Sequence, residues 1–141
     1  MRRIHDNVGT DAREALMERR ERIDLLRSRA SLLTGRDRLL MEMYLENGNT
    51  FRQMARLAGV NESSIAKRIN KVTKRLLDGE YITCLRNRER LGVAELSMAK
   101  DYFLDGLSIR RIAEKRGCTF YQVRKTLLKI QAIVRLVQQS A

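Results

Sequence analysis

Apolar positions recur at helical spacing along most of this chain. From Asp11 to about Leu33, the residues Leu16, Ile23, Leu26, Ala30 and Leu33 fall seven or three to four apart, with Arg and Glu between them, and predict an amphipathic helix. Residues 1 to 10 show no such period and include Gly9, so a frayed end is expected there. Such a helix either lies on the core of its own domain, the plainer reading, or offers a partner or dimer interface. Thr34-Gly-Arg-Asp37 has the spacing of a helix cap and starts a second helix with a broad apolar face of Leu39, Leu40, Met43, Tyr44 and Leu45, which Asn47-Gly48-Asn49 ends. A short helix follows. Thr50 is a good N-cap, Gln53 stands at the position that completes a capping box, and Gly59 supplies the left-handed residue that stops the helix. Asn61 caps the next helix, where Ile65, Ile69, Val72 and Leu76 line one face.

Residues 50 to 69 thus read as a helix-turn-helix, with the small Ala55 where two helices crossing at a wide angle approach closely. The stretch Asn61-Glu-Ser-Ser-Ile-Ala-Lys-Arg-Ile-Asn-Lys-Val-Thr-Lys-Arg-Leu76 also resembles the second helix of region 4 of bacterial sigma factors, especially the extracytoplasmic-function group. The resemblance covers roughly residues 33 to 77. It implies that the second helix enters a DNA major groove to read a promoter, and that RNA polymerase is a possible partner. No segment resembles the aromatic-rich region 2 of that family, so a complete sigma factor is not expected.

The pattern then repeats. A shift of 58 residues without a gap places Tyr44 on Tyr102, Gly48 on Gly106, Arg52 on Arg110, Ala55 on Ala113 and Gly59 on Gly117. The apolar positions follow in the same register: Met54 falls on Ile112, Ile65 on Val123, Ile69 on Leu127, Val72 on Ile130 and Leu76 on Val134. Residues 94 to 137 therefore read as a second helix-turn-helix, its helices capped by Ser108 and Thr119. Ser108 has Arg111 at the third position and lacks a reciprocal partner. The expected fold is all-α: a tail and amphipathic helix over 1–33, one unit over 34–78, a connector over 79–93, and a second unit over 94–141. The last helix carries Leu127, Leu128, Ile130, Ile133, Val134, Leu136 and Val137 in nearly every direction, so cover on more than one side is expected. A homodimer through Leu128, Ile133 and Leu136 together with Leu16, Ile23 and Leu26 would supply it.

Charge changes the picture more than composition does. The 141 residues carry a net charge of +12, distributed as +2 over residues 1–33, +3 over 34–80 and +7 over 81–141. A polyanion is the natural partner, nucleic acid the commonest one, and the carboxy-terminal part should touch it. No run of eighteen apolar residues exists, and the charged start lacks the apolar stretch of a secretory signal, which predicts a cytoplasmic, nucleoid-associated protein with no membrane partner. Cys84 and Cys118 have no CxxC spacing and the chain has one histidine, His5, so neither a metal site nor a disulfide framework is expected. No catalytic constellation or phosphate-binding glycine loop is present, and a binding protein without cofactor is expected rather than an enzyme.

On a wheel of 100° per residue, the direction opposite Ile65, Ile69 and Val72 holds Ser63, Lys67, Asn70, Lys71 and Lys74, flanked by Ser64 and Arg68. The equivalent set in the second copy is Tyr121, Gln122, Lys125 and Lys129, flanked by Arg124 and Thr126. Asn, Ser and Gln exchange hydrogen bonds with base edges, whereas Lys and Arg reach phosphates or guanine acceptors. Thr50 and Arg52, and likewise Ser108, Arg110 and Arg111, stand at helix starts that favour phosphate. Any one of these cations is as readily a solvated surface charge; the paired arrangement favours the set. The expected function is a sequence-specific transcription regulator binding double-stranded DNA, its half-sites about 10 bp apart if both copies enter the groove on one face. The alternatives are a protein-interaction module holding RNA polymerase or another regulator, and the DNA-binding component of a phage packaging or transposition system.

Overall fold

The computed structural model describes residues 2–140, with side chains from residue 9 to residue 139, and the described residues are helical without any strand. The elements are α1 (Arg2–Ala30), α2 (Gly35–Leu45), α3 (Phe51–Ala58), α4 (Glu62–Asp78), α5 (Glu80–Arg86), α6 (Val93–Ala99), α7 (Ile109–Arg116) and α8 (Phe120–Ser140). A 3₁₀ turn at Arg88–Arg90 precedes α6, and a π turn at Lys100–Leu104 continues it. The chain divides into two compact units, Met1–Ile69 and Asn70–Ala141, so the boundary falls inside α4.

The local signals act as read. Thr50 Oγ1 accepts from the Gln53 amide at 3.1 Å while Gln53 Oε1 accepts from the Thr50 amide at 2.9 Å, which closes the capping box of α3. Gly59 stops α3 at φ 68°, and Gly117 stops α7 at φ 63°. Asn61 Oδ1 accepts from the Ser64 amide at 3.3 Å and so caps α4. Ser108 Oγ accepts from the Arg111 amide without a reciprocal bond.

Two expectations need correction. Residues 1 to 10 were expected frayed, yet α1 begins at Arg2; a single glycine inside a helix costs only about 1 kcal/mol and does not end it. Thr34 stands at the N-cap of α2 but its side chain caps nothing, and the Asp37 carboxylate that could reach back to the Thr34 amide is bonded to Arg68 of α4 instead. The connector at 79–93 holds α5, and its Cys84 and Leu91 join the core of the second unit with Met98, Phe103, Ile112, Val123, Leu127, Ile130 and Val134.

The two halves bury their side chains in the same register. Leu26 and Cys84, Leu33 and Leu91, Leu40 and Met98, Met41 and Ala99, and Met54 and Ile112 are all buried, as are Ile65, Ile69, Val72 and Leu76 and their counterparts on α8. Each pair differs by 58 in number, so the repeat reaches back through α5, which corresponds to the end of α1. α8 buries one stripe only: Leu128 and Leu136 remain 56% and 61% exposed. Of the residues offered for a dimer, Leu26 is buried within the chain and Ile133 packs against the second core, whereas Leu16 is exposed.

Gly106 stands where the backbone favours glycine. Its φ of +69° is the left-handed region, and a Cβ there would collide with the Arg75 guanidinium. Gly48, its repeat counterpart, has φ +64° and open space around the same point. Gly48→Ala and Gly106→Ala should therefore each lower the unfolding free energy by about 1–2 kcal/mol in urea denaturation, because the group in the way at Gly106 is the far end of the flexible Arg75 side chain. A clearly larger loss at Gly106 would show that Arg75 is held in place.

Candidate nucleic-acid interface

The outward faces of α4 and α8 are built by what the inward faces must bury. With Ile65, Ile69, Val72 and Leu76 turned inward, Ser63, Lys67, Asn70, Lys71 and Lys74 are left exposed. With Val123, Leu127, Ile130 and Val134 turned inward, Tyr121, Gln122, Arg124, Lys125 and Lys129 are exposed too, Tyr121 to 71%. Thr50, Arg52, Ser108, Arg110 and Arg111 are exposed at the starts of α3 and α7. Among the described residues, Lys67, Lys71, Lys74, Arg124 and Lys125 make no ion pair, so their charges are free to meet a polyanion.

Other candidate residues are already engaged. Arg68 donates from Nε to Asp37 Oδ1 at 2.7 Å and from Nη2 to Asp37 Oδ2 at 2.8 Å, a bidentate pair whose carboxylate is 9% exposed. Lys129 Nζ reaches Glu95 Oε1 at 3.2 Å. Glu95 is the repeat counterpart of Asp37, so each unit ties an acid near the start of one helix to a cation on its long helix, although the cation shifts from position 68 to the counterpart of position 71. Gln122 is held by a second capping box: its Oε1 accepts from the Thr119 amide at 3.0 Å and its own amide donates to Thr119 Oγ1 at 3.1 Å. The Thr126 hydroxyl donates to the Gln122 carbonyl, and the Ser63 and Ser64 hydroxyls donate to Asn61 Oδ1 at 3.3 Å and 2.6 Å. The least committed groups are thus Lys67, Lys71, Lys74 and Lys125, with Asn70, Arg124 and Tyr121.

One cluster was not anticipated. Asp101, on the π turn, accepts from Lys115 Nζ at 2.7 Å and from Arg116 Nε at 2.8 Å, and Arg116 Nη2 also donates to Ser97 Oγ at 2.6 Å. The Asp101 side chain is 3% exposed. Residues fifteen apart on different helices carry no local spacing signal, but an acid on an otherwise apolar helix face was the available hint.

The two cysteines differ sharply. Cys84 is buried and burial pushes its thiol up to about 11, whereas Cys118 is exposed beside Gly117. A thiol reagent at pH 8 should titrate one thiol in the native protein and both after unfolding. Two fast-reacting thiols in the native state would contradict this packing.

No group of three or more His, Cys, Asp or Glu converges as a metal site among the described residues, whose helices include none long and apolar enough to cross a membrane. No family model, curated protein or solved structure matches this chain.

Proposed function

We propose that this chain is a transcription regulator that binds double-stranded DNA sequence-specifically through two helix-turn-helix units, with α4 and α8 as the recognition helices. The observation that carries the reading is the repetition itself. Two eight-residue helices, Phe51–Ala58 and Ile109–Arg116, each end on a left-handed glycine and are each followed, after the same number of residues, by a long helix. Both long helices turn unpaired lysines outward at matching positions, Lys67 with Lys125. A merely structural repeat would keep the glycines and the buried stripe; it has no need to keep an unpaired cation on the opposite face.

In this reading Asn70, Arg124 and Tyr121 face base edges, while Lys67, Lys71, Lys74 and Lys125 and the exposed starts of α3 and α7 hold phosphates. Arg68 and Lys129 act at one remove, by fixing the long helices against Asp37 and Glu95. The test is selection of the purified chain on a pool of random duplex DNA at two salt concentrations, with the retained DNA sequenced. A two-part motif with half-sites about 10 bp apart is expected, with retention falling steeply with salt. Retention without an enriched motif would replace the regulator with a non-specific binder, and an enriched single half-site would mean that only one unit reads DNA.

A further inference from the structure

The two halves match in backbone but not in one surface. In the second unit Ser97, Asp101, Lys115 and Arg116 are joined in one polar network. Their counterparts in the first unit are Leu39, Met43, Leu57 and Ala58. All four polar residues have become apolar.

The backbone argues that these four also converge. α2 and α6 start in the same register, as do α3 and α7. The closing bonds agree as well: Asn47 N to Glu42 O at 3.2 Å matches Asp105 N to Lys100 O at 3.0 Å, and Asn49 N to Met43 O at 3.0 Å matches Leu107 N to Asp101 O at 2.9 Å. Leu39 is 59% and Leu57 is 72% exposed, so where the second unit spends its positions on an internal network the first leaves apolar surface in water. Ala58 belongs as well to a groove of about 350 Å³ lined by Arg36, Leu40, Val60, Ser64, Ile65 and the Asp37-paired Arg68. Arg36 is exposed, stands on the same edge of α2 as Leu39 and Met43, and makes no ion pair among the described residues.

We propose that Leu39, Met43, Leu57 and Ala58, with Val60 and Arg36 at the rim, form a docking surface for an amphipathic helix of another protein that carries acidic residues beside its apolar face. A scattered exposed leucine needs no explanation, but four apolar residues at the positions where the second unit joins a polar network do. A helix presenting anchors at i, i+3 or i+4 and i+7 fits a surface of this width. Charge decides the flank: Arg36 lacks a carboxylate, and a partner's Asp or Glu supplies it. A second copy is the poorer occupant, because it brings another cationic rim.

This inference stands apart from the DNA reading, and its test separates the two. A phage-displayed library of helical peptides is selected on the full chain and counter-selected on the Leu39→Ser/Leu57→Lys variant, which installs the residues that the second unit carries at those positions. The expected peptides have apolar residues at helical spacing flanked by Asp or Glu. They bind the double variant about tenfold or more weaker and Arg36→Glu several-fold weaker, and they shift the methyl resonances of Leu39, Met43 and Leu57. Circular dichroism confirms that the variants fold, and their affinity for duplex DNA stays unchanged. Peptides that bind the double variant equally well, or no enrichment, overturn the proposal. So does self-association in light scattering that the double variant abolishes, which gives the surface to a second copy. A collapse of DNA affinity in a folded double variant gives it to DNA.

Discussion

Replacing Asp101 with alanine should lower the unfolding free energy by about 3 kcal/mol, read from urea denaturation followed by circular dichroism. The carboxylate is 3% exposed and carries two cations. Their fates differ once it is gone. Lys115 is 54% exposed and turns to water at little cost, but Arg116 is 21% exposed and keeps only the Ser97 hydroxyl among its observed partners. A largely buried guanidinium left without its counter-ion sets most of the loss. The first repeat shows the remedy. The double variant Asp101→Met/Arg116→Ala installs the pair that stands at Met43 and Ala58, removes both charges together, and should recover most of the stability, since replacing a buried ion pair by packed apolar groups is often close to neutral. If Asp101→Ala costs less than about 1 kcal/mol, the network is a solvated surface feature and the burial argument fails.

The elements were legible because their ends are written locally. Thr50 with Gln53, Asn61, Gly59 and Gly117 each act within four residues, and the apolar stripes of α4 and α8 follow from helical period alone. The interactions between helices were not. Asp37 was read as part of a cap with Thr34, but a bidentate guanidinium offers two charge-assisted bonds where a cap offers a single weaker one, and Arg68, thirty-one residues away, wins. The outward position of Gln122 predicts a base contact, yet Thr119-x-x-Gln122 has the same spacing as Thr50-x-x-Gln53, and that box is legible in the sequence. α8 was expected to be covered on more than one side, and the stripe it does bury is that of a helix lying on one core, with Leu128 and Leu136 left outside. Of the candidate DNA face, the outward direction was legible from period, whereas the commitment of Arg68 and Lys129 to acids on other helices depends on the fold.

Reversing two charges, Lys67→Glu together with Lys125→Glu, should lower affinity for duplex DNA by about 100-fold at 0.1 M salt. Both lysines are exposed and unpaired among the described residues, so the change reaches DNA without passing through the core. The size follows from counting phosphates. Each neutralised phosphate contributes about 0.9 to the slope of log affinity against log salt, so the Lys67→Ala/Lys125→Ala variant should flatten that slope by about two, and the two glutamates add repulsion to the loss. Position on the fold sets the controls. Lys129→Ala should weaken binding less than Lys125→Ala, because Lys129 already faces Glu95, while Arg68→Ala should lower stability by leaving Asp37 buried without its partner. Fluorescence anisotropy over a salt series, with thermal melts of each variant, separates these cases. An unchanged slope in a folded double variant would remove α4 and α8 from the DNA and leave the apolar surface of the first unit as the chain's principal means of recognition.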